Sequence, residues 1–128
     1  MSDPLSLLYV DDDPDIRTIV GMSLGLDAAI SVRSAASAGE ALALLVGWRP
    51  DAMLLDVMMP GVDGPALLAM IRAIGGMETT PAIFMTAKTR DADVAFYRRL
   101  GAVDVIPKPF DPITLAARVR AIVGSTRS

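Results

Sequence analysis

The sequence predicts an α/β fold: a doubly wound parallel sheet of five strands with five helices on its two faces. Three observations carry this. Five short apolar runs alternate with segments of helical period. The third run, Ala52–Asp56, shows no polar alternation, as expected of a strand covered on both faces. Caps, prolines and glycines punctuate the helix ends. Right-handed crossovers between parallel strands then put helices on both faces.

The elements follow in chain order. Leu5–Val10 is the first strand. Ile16, Ile19, Val20, Ser23 and Leu24 recur at helical spacing and predict one buried stripe, opened by Asp13 as N-cap and Pro14 at the first helical position. Residues 29–34 form a short second strand. Ser37 and Glu40 make a capping box for a helix to about Gly47. After the third strand, residues 60–64 form a loop, and a helix follows to about Ile74 with Leu67, Ile71 and Ile74 on one side. Gly75 and Gly76 end it. Residues 81–85 are the fourth strand. Residues 91–100 are a helix with a thin apolar stripe (Val94, Phe96, Tyr97, Leu100), stopped by Gly101. Residues 103–106 are the fifth strand. Asp111 and Pro112 open a last helix with Leu115, Val119, Ile122 and Val123 inward.

Composition narrows the chemistry. A chain of 128 residues that is 52% apolar builds one domain with a substantial core. The absence of cysteine excludes disulfides and thiol chemistry. The absence of histidine excludes a serine–histidine hydrolase, a histidine-ligated zinc site and a phosphohistidine carrier within the chain. A net charge of −3 argues against a nucleic-acid partner, whose phosphates need a basic face. The first residues lack the charged and apolar regions of a signal peptide, and no apolar run reaches the ~18 residues of a membrane span. A soluble cytoplasmic protein without membrane contact is expected.

The charged residues fall at the ends of the apolar runs. Asp11 and Asp12 follow the first strand, Asp56 ends the third, Thr86 follows the fourth and Lys108 lies just beyond the fifth. In open α/β sheets, ligands bind outside the carboxyl ends of the strands. Two carboxylates ~4 Å apart repel by roughly 4 kcal/mol at an effective dielectric near 20. Either one is protonated or a cation lies between them. An all-oxygen site with few protein ligands suits Mg²⁺. Successive strand residues point to opposite faces. Asp11 and Asp12 therefore divide direct and water-mediated metal contact, or the strand has already ended. Asp56, the central carboxylate, is the expected nucleophile for a phosphoryl group. Lys108 offers it a point charge and Thr86 a hydrogen bond. Taken singly, each residue has a plainer reading as a turn, cap or surface residue; their joint placement favours a site.

These residues resemble the receiver domain of two-component response regulators. The resemblance rests on YVDDDPDIR, LLDVMMPGVDG, FMTAK and IPKPF in that order and covers about residues 5–123. It implies a flavodoxin-like sheet with strand order 2-1-3-4-5. It implies that Asp56 accepts a phosphoryl group and that Asp11, Asp12 and the Met58 carbonyl join Asp56 around Mg²⁺, with Asp12 favoured as a direct ligand. It further implies a switch through Thr86, beside the small Ala87, and a cis Lys108–Pro109 bond. Where the family usually carries an aromatic residue, this chain has Val105, so a swinging ring is not available to the switch.

The expected function is a single-domain response regulator, residues 1–128 without an output domain, since only five residues follow Val123. It would take its phosphoryl group from a histidine kinase or a histidine phosphotransfer protein and signal to a downstream protein target. It would act as a monomer or weak dimer, and not as an enzyme beyond its own phosphorylation and dephosphorylation. Two other readings remain: a phosphorylation-independent interaction module, and a Mg²⁺-dependent aspartyl-phosphate phosphatase. The phosphatase reading is weakened by Met58, which stands where a second carboxylate would act as general acid.

Overall fold

A computed structural model describes residues 3–126. Among these, β1 (Leu5–Val10), α1 (Pro14–Gly25), β2 (Ile30–Ala35), α2 (Ala38–Leu44), β3 (Ala52–Asp56), α3 (Gly64–Arg72), β4 (Ala82–Thr86), α4 (Asp91–Arg99), β5 (Asp104–Pro107) and α5 (Leu115–Ser125) alternate along the chain. All strand pairs are parallel, in the order β2-β1-β3-β4-β5. The doubly wound five-stranded sheet expected from the sequence is therefore the fold.

Strand alternation divides the core into two layers. Leu8, Val10, Met53, Leu55, Phe84 and Val105 face α2, α3 and α4, where they meet Ala41, Leu67, Ile71 and Tyr97. Leu7, Tyr9, Leu54, Ile83, Met85 and Ile106 face α1 and α5, where they meet Val20, Leu24, Val119 and Val123. Every residue of β3 and β4 is buried, as their unbroken apolar runs require of central parallel strands. The Phe84 and Tyr97 rings meet edge to face with centroids 5.5 Å apart, which fixes α4 on its layer.

Local chemistry sets the helix ends. The Asp13 carboxylate accepts from the N–H groups of Asp15 and Ile16 at the start of α1. Ser37 Oγ accepts from Glu40 N–H, while Glu40 Oε1 accepts from Ala36 N–H rather than from the cap residue. Asp63 caps α3 through Ala66 N–H.

Several sequence expectations shift. β2 begins and ends one residue late. α2 stops at Leu44, short of Gly47, and α3 stops at Arg72, before Ile74. α5 starts at Leu115 rather than at Pro112. The reason lies in the segment before it. Asp111 Oδ1 accepts from Ile113 N–H, and the Pro112 carbonyl accepts from the Ser23 hydroxyl on α1, so residues 112–114 form a turn tied to α1. Ile19, expected in the buried stripe of α1, is exposed, and Phe96 and Leu100 of α4 are also half in solvent. Only Tyr97 of the α4 stripe is fully packed.

Candidate phosphoryl-acceptor site

β1 and β3 are neighbours, with Tyr9 opposite Leu54 and Val10 opposite Leu55. Their ends therefore bring Asp11 and Asp56 side by side. Both are buried, and Asp12, one residue on, is exposed. β1 ends at Val10, so Asp11 and Asp12 leave strand geometry and both carboxylates turn towards Asp56. Asp11, Asp12 and Asp56 each offer one oxygen within 4.8 Å of the others.

Lys108 enters from the far side of the sheet. Its Nζ donates to Asp56 Oδ1 at 2.8 Å and to Asp11 Oδ2 at 3.3 Å. The loop carrying it is anchored to β4: Lys108 N–H donates to the Thr86 carbonyl at 2.9 Å. The Lys108–Pro109 bond is cis, as the sequence resemblance implied. Thr86 is buried at the end of β4, and its Oγ1 accepts from Lys88 N–H at 3.0 Å. Ala87 and Met58 are exposed. Val105 is buried in the core layer beneath α4, which accounts for its place in the fold without an aromatic ring.

The electrostatics are those of a crowded anion pair with one cation. Burial, together with the charge of Asp11, raises the Asp56 carboxyl above its ordinary range, while Lys108 and the Met58 N–H pull it down. For Lys108, burial opposes its charge, but the pairing with Asp56 and Asp11 outweighs this and the net shift is upward. The two directions agree: the single ammonium is held firmly charged, and it does not fully compensate two buried carboxylates.

Three contributors are not evident from the acidic and basic punctuation. Tyr9, fully buried in β1, donates its hydroxyl to Asp11 Oδ2 at 2.8 Å. Burial first, and Asp11 second, hold this phenol far above its usual range, so it remains a donor. Its sequence signal is a tyrosine two residues before Asp11, near enough in the chain for the phenol to reach the carboxylate. Arg17 Nη1 donates to the Asp11 carbonyl at 2.8 Å from one turn into α1. Gly64 stands so close to β3 that a Cβ there would lie 2.4 Å from the Asp56 carbonyl oxygen. Its N–H donates to the Val57 carbonyl, closing the loop that follows Asp56.

A family model described as the response regulator receiver domain matches residues 7–120. This chain belongs to the response regulator receiver family. Among characterised sequences, the domain is 40% identical over 118 residues to the transcriptional regulatory protein AfsQ1 of Streptomyces coelicolor, covering 92% of this chain and 51% of AfsQ1. It is likewise 40% identical over 118 residues to the DNA-binding response regulator MtrA of Mycolicibacterium smegmatis, covering 90% of this chain and 49% of MtrA. The chain thus spans about half the length of these relatives. Among solved structures, a putative response regulator from Chloroflexus aurantiacus superposes with a TM-score of 0.84 at 35% identity, covering 95% of this chain and 99% of that one. The chemotaxis response regulator CheY4 of Vibrio cholerae superposes with a TM-score of 0.84 at 31% identity, covering 93% and 98%.

The donor set of this receiver domain fits Mg²⁺. It is all oxygen, it gathers three carboxylates, and it leaves room for water in an octahedral shell. Among the described residues no helix is long and apolar enough to cross a membrane.

Proposed function

We propose that this receiver domain accepts a phosphoryl group on Asp56 from a phosphohistidine of a partner kinase or phosphotransfer protein. The observation that carries the reading is the Asp56 carboxylate itself. It lies at the carboxyl end of a central strand, 3% exposed, with Lys108 Nζ at 2.8 Å and Asp11 and Asp12 gathered beside it. A carboxylate oxygen of Asp56 forms the new P–O bond as the P–N bond to the partner's imidazole breaks, and the departing imidazole nitrogen takes up a proton. Asp11, Asp12, Asp56 and the Met58 carbonyl would hold Mg²⁺, which supplies compensation for the negative charge gathered there.

After transfer, the phosphoryl group on Asp56 carries about −1.5 to −2 charges in place of the single charge of the free carboxylate. Lys108 is already within reach of that position. The Thr86 hydroxyl exchanges its contact with Lys88 N–H for donation to a phosphoryl oxygen, and this draws in the loop bearing Ala87 and Lys88. The half-exposed α4 changes with it, and the altered surface is read by a protein partner. The buried Val105 leaves the switch to Thr86 and the loop. The domain itself works without nucleic-acid contact, in keeping with its acidic balance, and in the cytoplasm, where it catalyses only its own phosphorylation and dephosphorylation.

Incubation with acetyl phosphate and Mg²⁺, followed by intact-mass measurement, tests the reading. The expected product is a single-phosphoryl adduct that Asp56→Asn lacks. A wild-type protein that gains no mass would refute it, as would one that releases many phosphates per chain as a phosphatase does.

A further inference from the structure

We propose that Tyr9 is a positioning residue that sets the divalent-cation preference of the site by restricting Asp11 to single-oxygen contact. The inference rests on the Mg²⁺ reading above. An ionised carboxylate offers about four lone-pair positions, two on each oxygen. On Asp11, Oδ2 is met by the Tyr9 hydroxyl at 2.8 Å and by Lys108 Nζ at 3.3 Å. Oδ1 accepts from Asp13 N–H at 3.0 Å. One position remains, on Oδ1. Among the described residues Asp12 is the exposed member of the trio and receives no hydrogen bond, so its oxygens stay available.

Tyr9 cannot yield its place easily. Its ring is fully buried between β1 and the layer of α1 and α5, and from there the hydroxyl reaches the Asp11 carboxylate. The Asp11 carboxylate is thereby clamped at both ends, by Tyr9 on one oxygen and Asp13 N–H on the other. A clamped carboxylate can serve an octahedral ion, or water bound to it, through one oxygen. It cannot turn to chelate through both. Mg²⁺ demands near-ideal octahedral geometry, whereas Ca²⁺ accepts six to eight oxygens and often takes a carboxylate in bidentate fashion. Removing the Tyr9 hydroxyl frees a lone pair on Oδ2, so that each oxygen, although still held by Lys108 or by Asp13 N–H, has one position to offer a single ion. The change favours the larger ion at the expense of the smaller.

The experiment is calorimetric titration of Mg²⁺ and of Ca²⁺, separately, into metal-free wild type and Tyr9→Phe. Outer-sphere partners of metal ligands typically change affinity by about 10-fold or more, and a loss near 10-fold is expected for Mg²⁺. Ca²⁺ affinity should stay level or rise, so the Mg²⁺ to Ca²⁺ ratio falls. Equal weakening of both ions would mark a purely structural loosening and overturn the inference while leaving the Mg²⁺ site intact. Unchanged affinities would overturn it as well. A wild type that binds neither ion would overturn the site reading and this inference together. A second measurement needs no variant. With 3-fluorotyrosine incorporated, the ¹⁹F resonance of Tyr9 should move on Mg²⁺ addition and that of Tyr97, in the opposite core layer, should not. A stationary Tyr9 resonance in a protein that binds Mg²⁺ also refutes the proposal.

Discussion

Replacing Lys108 by methionine removes the cation that, among the described residues, joins the two buried carboxylates, while keeping a similar chain length. Its Nζ stands 2.8 Å from Asp56 Oδ1 and 3.3 Å from Asp11 Oδ2. At an effective dielectric of about 20, these attractions amount to roughly 6 and 5 kcal/mol before desolvation. Desolvation cancels most of that. Removing one partner of a buried ion pair costs about 3–5 kcal/mol, and because a quarter of the Lys108 side chain remains in water, the lower end, about 3 kcal/mol, is expected.

This deficit should depend on pH. Burial and then Asp11 already raise the Asp56 carboxyl, against the pull of Lys108. Without that pull it rises further. A carboxyl raised in the folded state contributes stability that is complete below its unfolded value, near about 4, and that fades as pH climbs through the folded value. The penalty for Lys108→Met should therefore be small in acid and grow from about pH 4 towards neutrality. Adding Asp56→Asn to Lys108→Met should recover about 1–2 kcal/mol at pH 7, because the remaining Asp11 no longer faces a second charge. Urea unfolding in EDTA at pH 4.5 and pH 7, followed by circular dichroism, measures all three quantities. A deficit below about 1 kcal/mol that is equal at both pH values would show an ordinary surface lysine and refute the electrostatic reasoning.

Three further outcomes follow from the packing. Gly64→Ala sets a Cβ 2.4 Å from the Asp56 carbonyl oxygen and 3.0 Å from Val57 Cα, both backbone atoms that cannot swing aside. It should lose about 2 kcal/mol or more in urea unfolding and slow adduct formation from acetyl phosphate. Arg72 donates to the carbonyls of Met77 at 2.9 Å and Thr80 at 2.6 Å, holding the end of α3 to the approach of β4. Arg72→Ala should cost about 2 kcal/mol by the same assay, and Arg72→Lys should restore only part, since an ammonium lacks the planar fork. Asp13→Ala leaves the N–H groups of Asp15 and Ile16 without their acceptor and should lower stability by about 1 kcal/mol, read from the urea midpoint.

The sequence by itself determined the fold class and the order of the elements, and it singled out five candidate site residues. Apolar period and end punctuation are local properties, and Asp11, Asp12, Asp56, Thr86 and Lys108 each close a strand or follow one directly. The start of α5 was not legible: Asp111 and Pro112 read as a helix cap, and only the hydroxyl of Ser23, distant in sequence, explains why they make a turn. The same holds for Ile19, whose helical spacing suits burial although it lies half in solvent beside a groove lined also by Ala116 and Arg120 of α5. Tertiary structure alone decided which atoms meet. The pairing of β1 with β3 brings Asp11 beside Asp56, the adjacency of β4 and β5 delivers Lys108 to both, and burial turns Tyr9 from one more apolar strand residue into a donor aimed at a carboxylate. Local pattern records which face a residue takes, whereas hydrogen bonds and charge pairs between distant segments depend on distances that only the closed sheet defines.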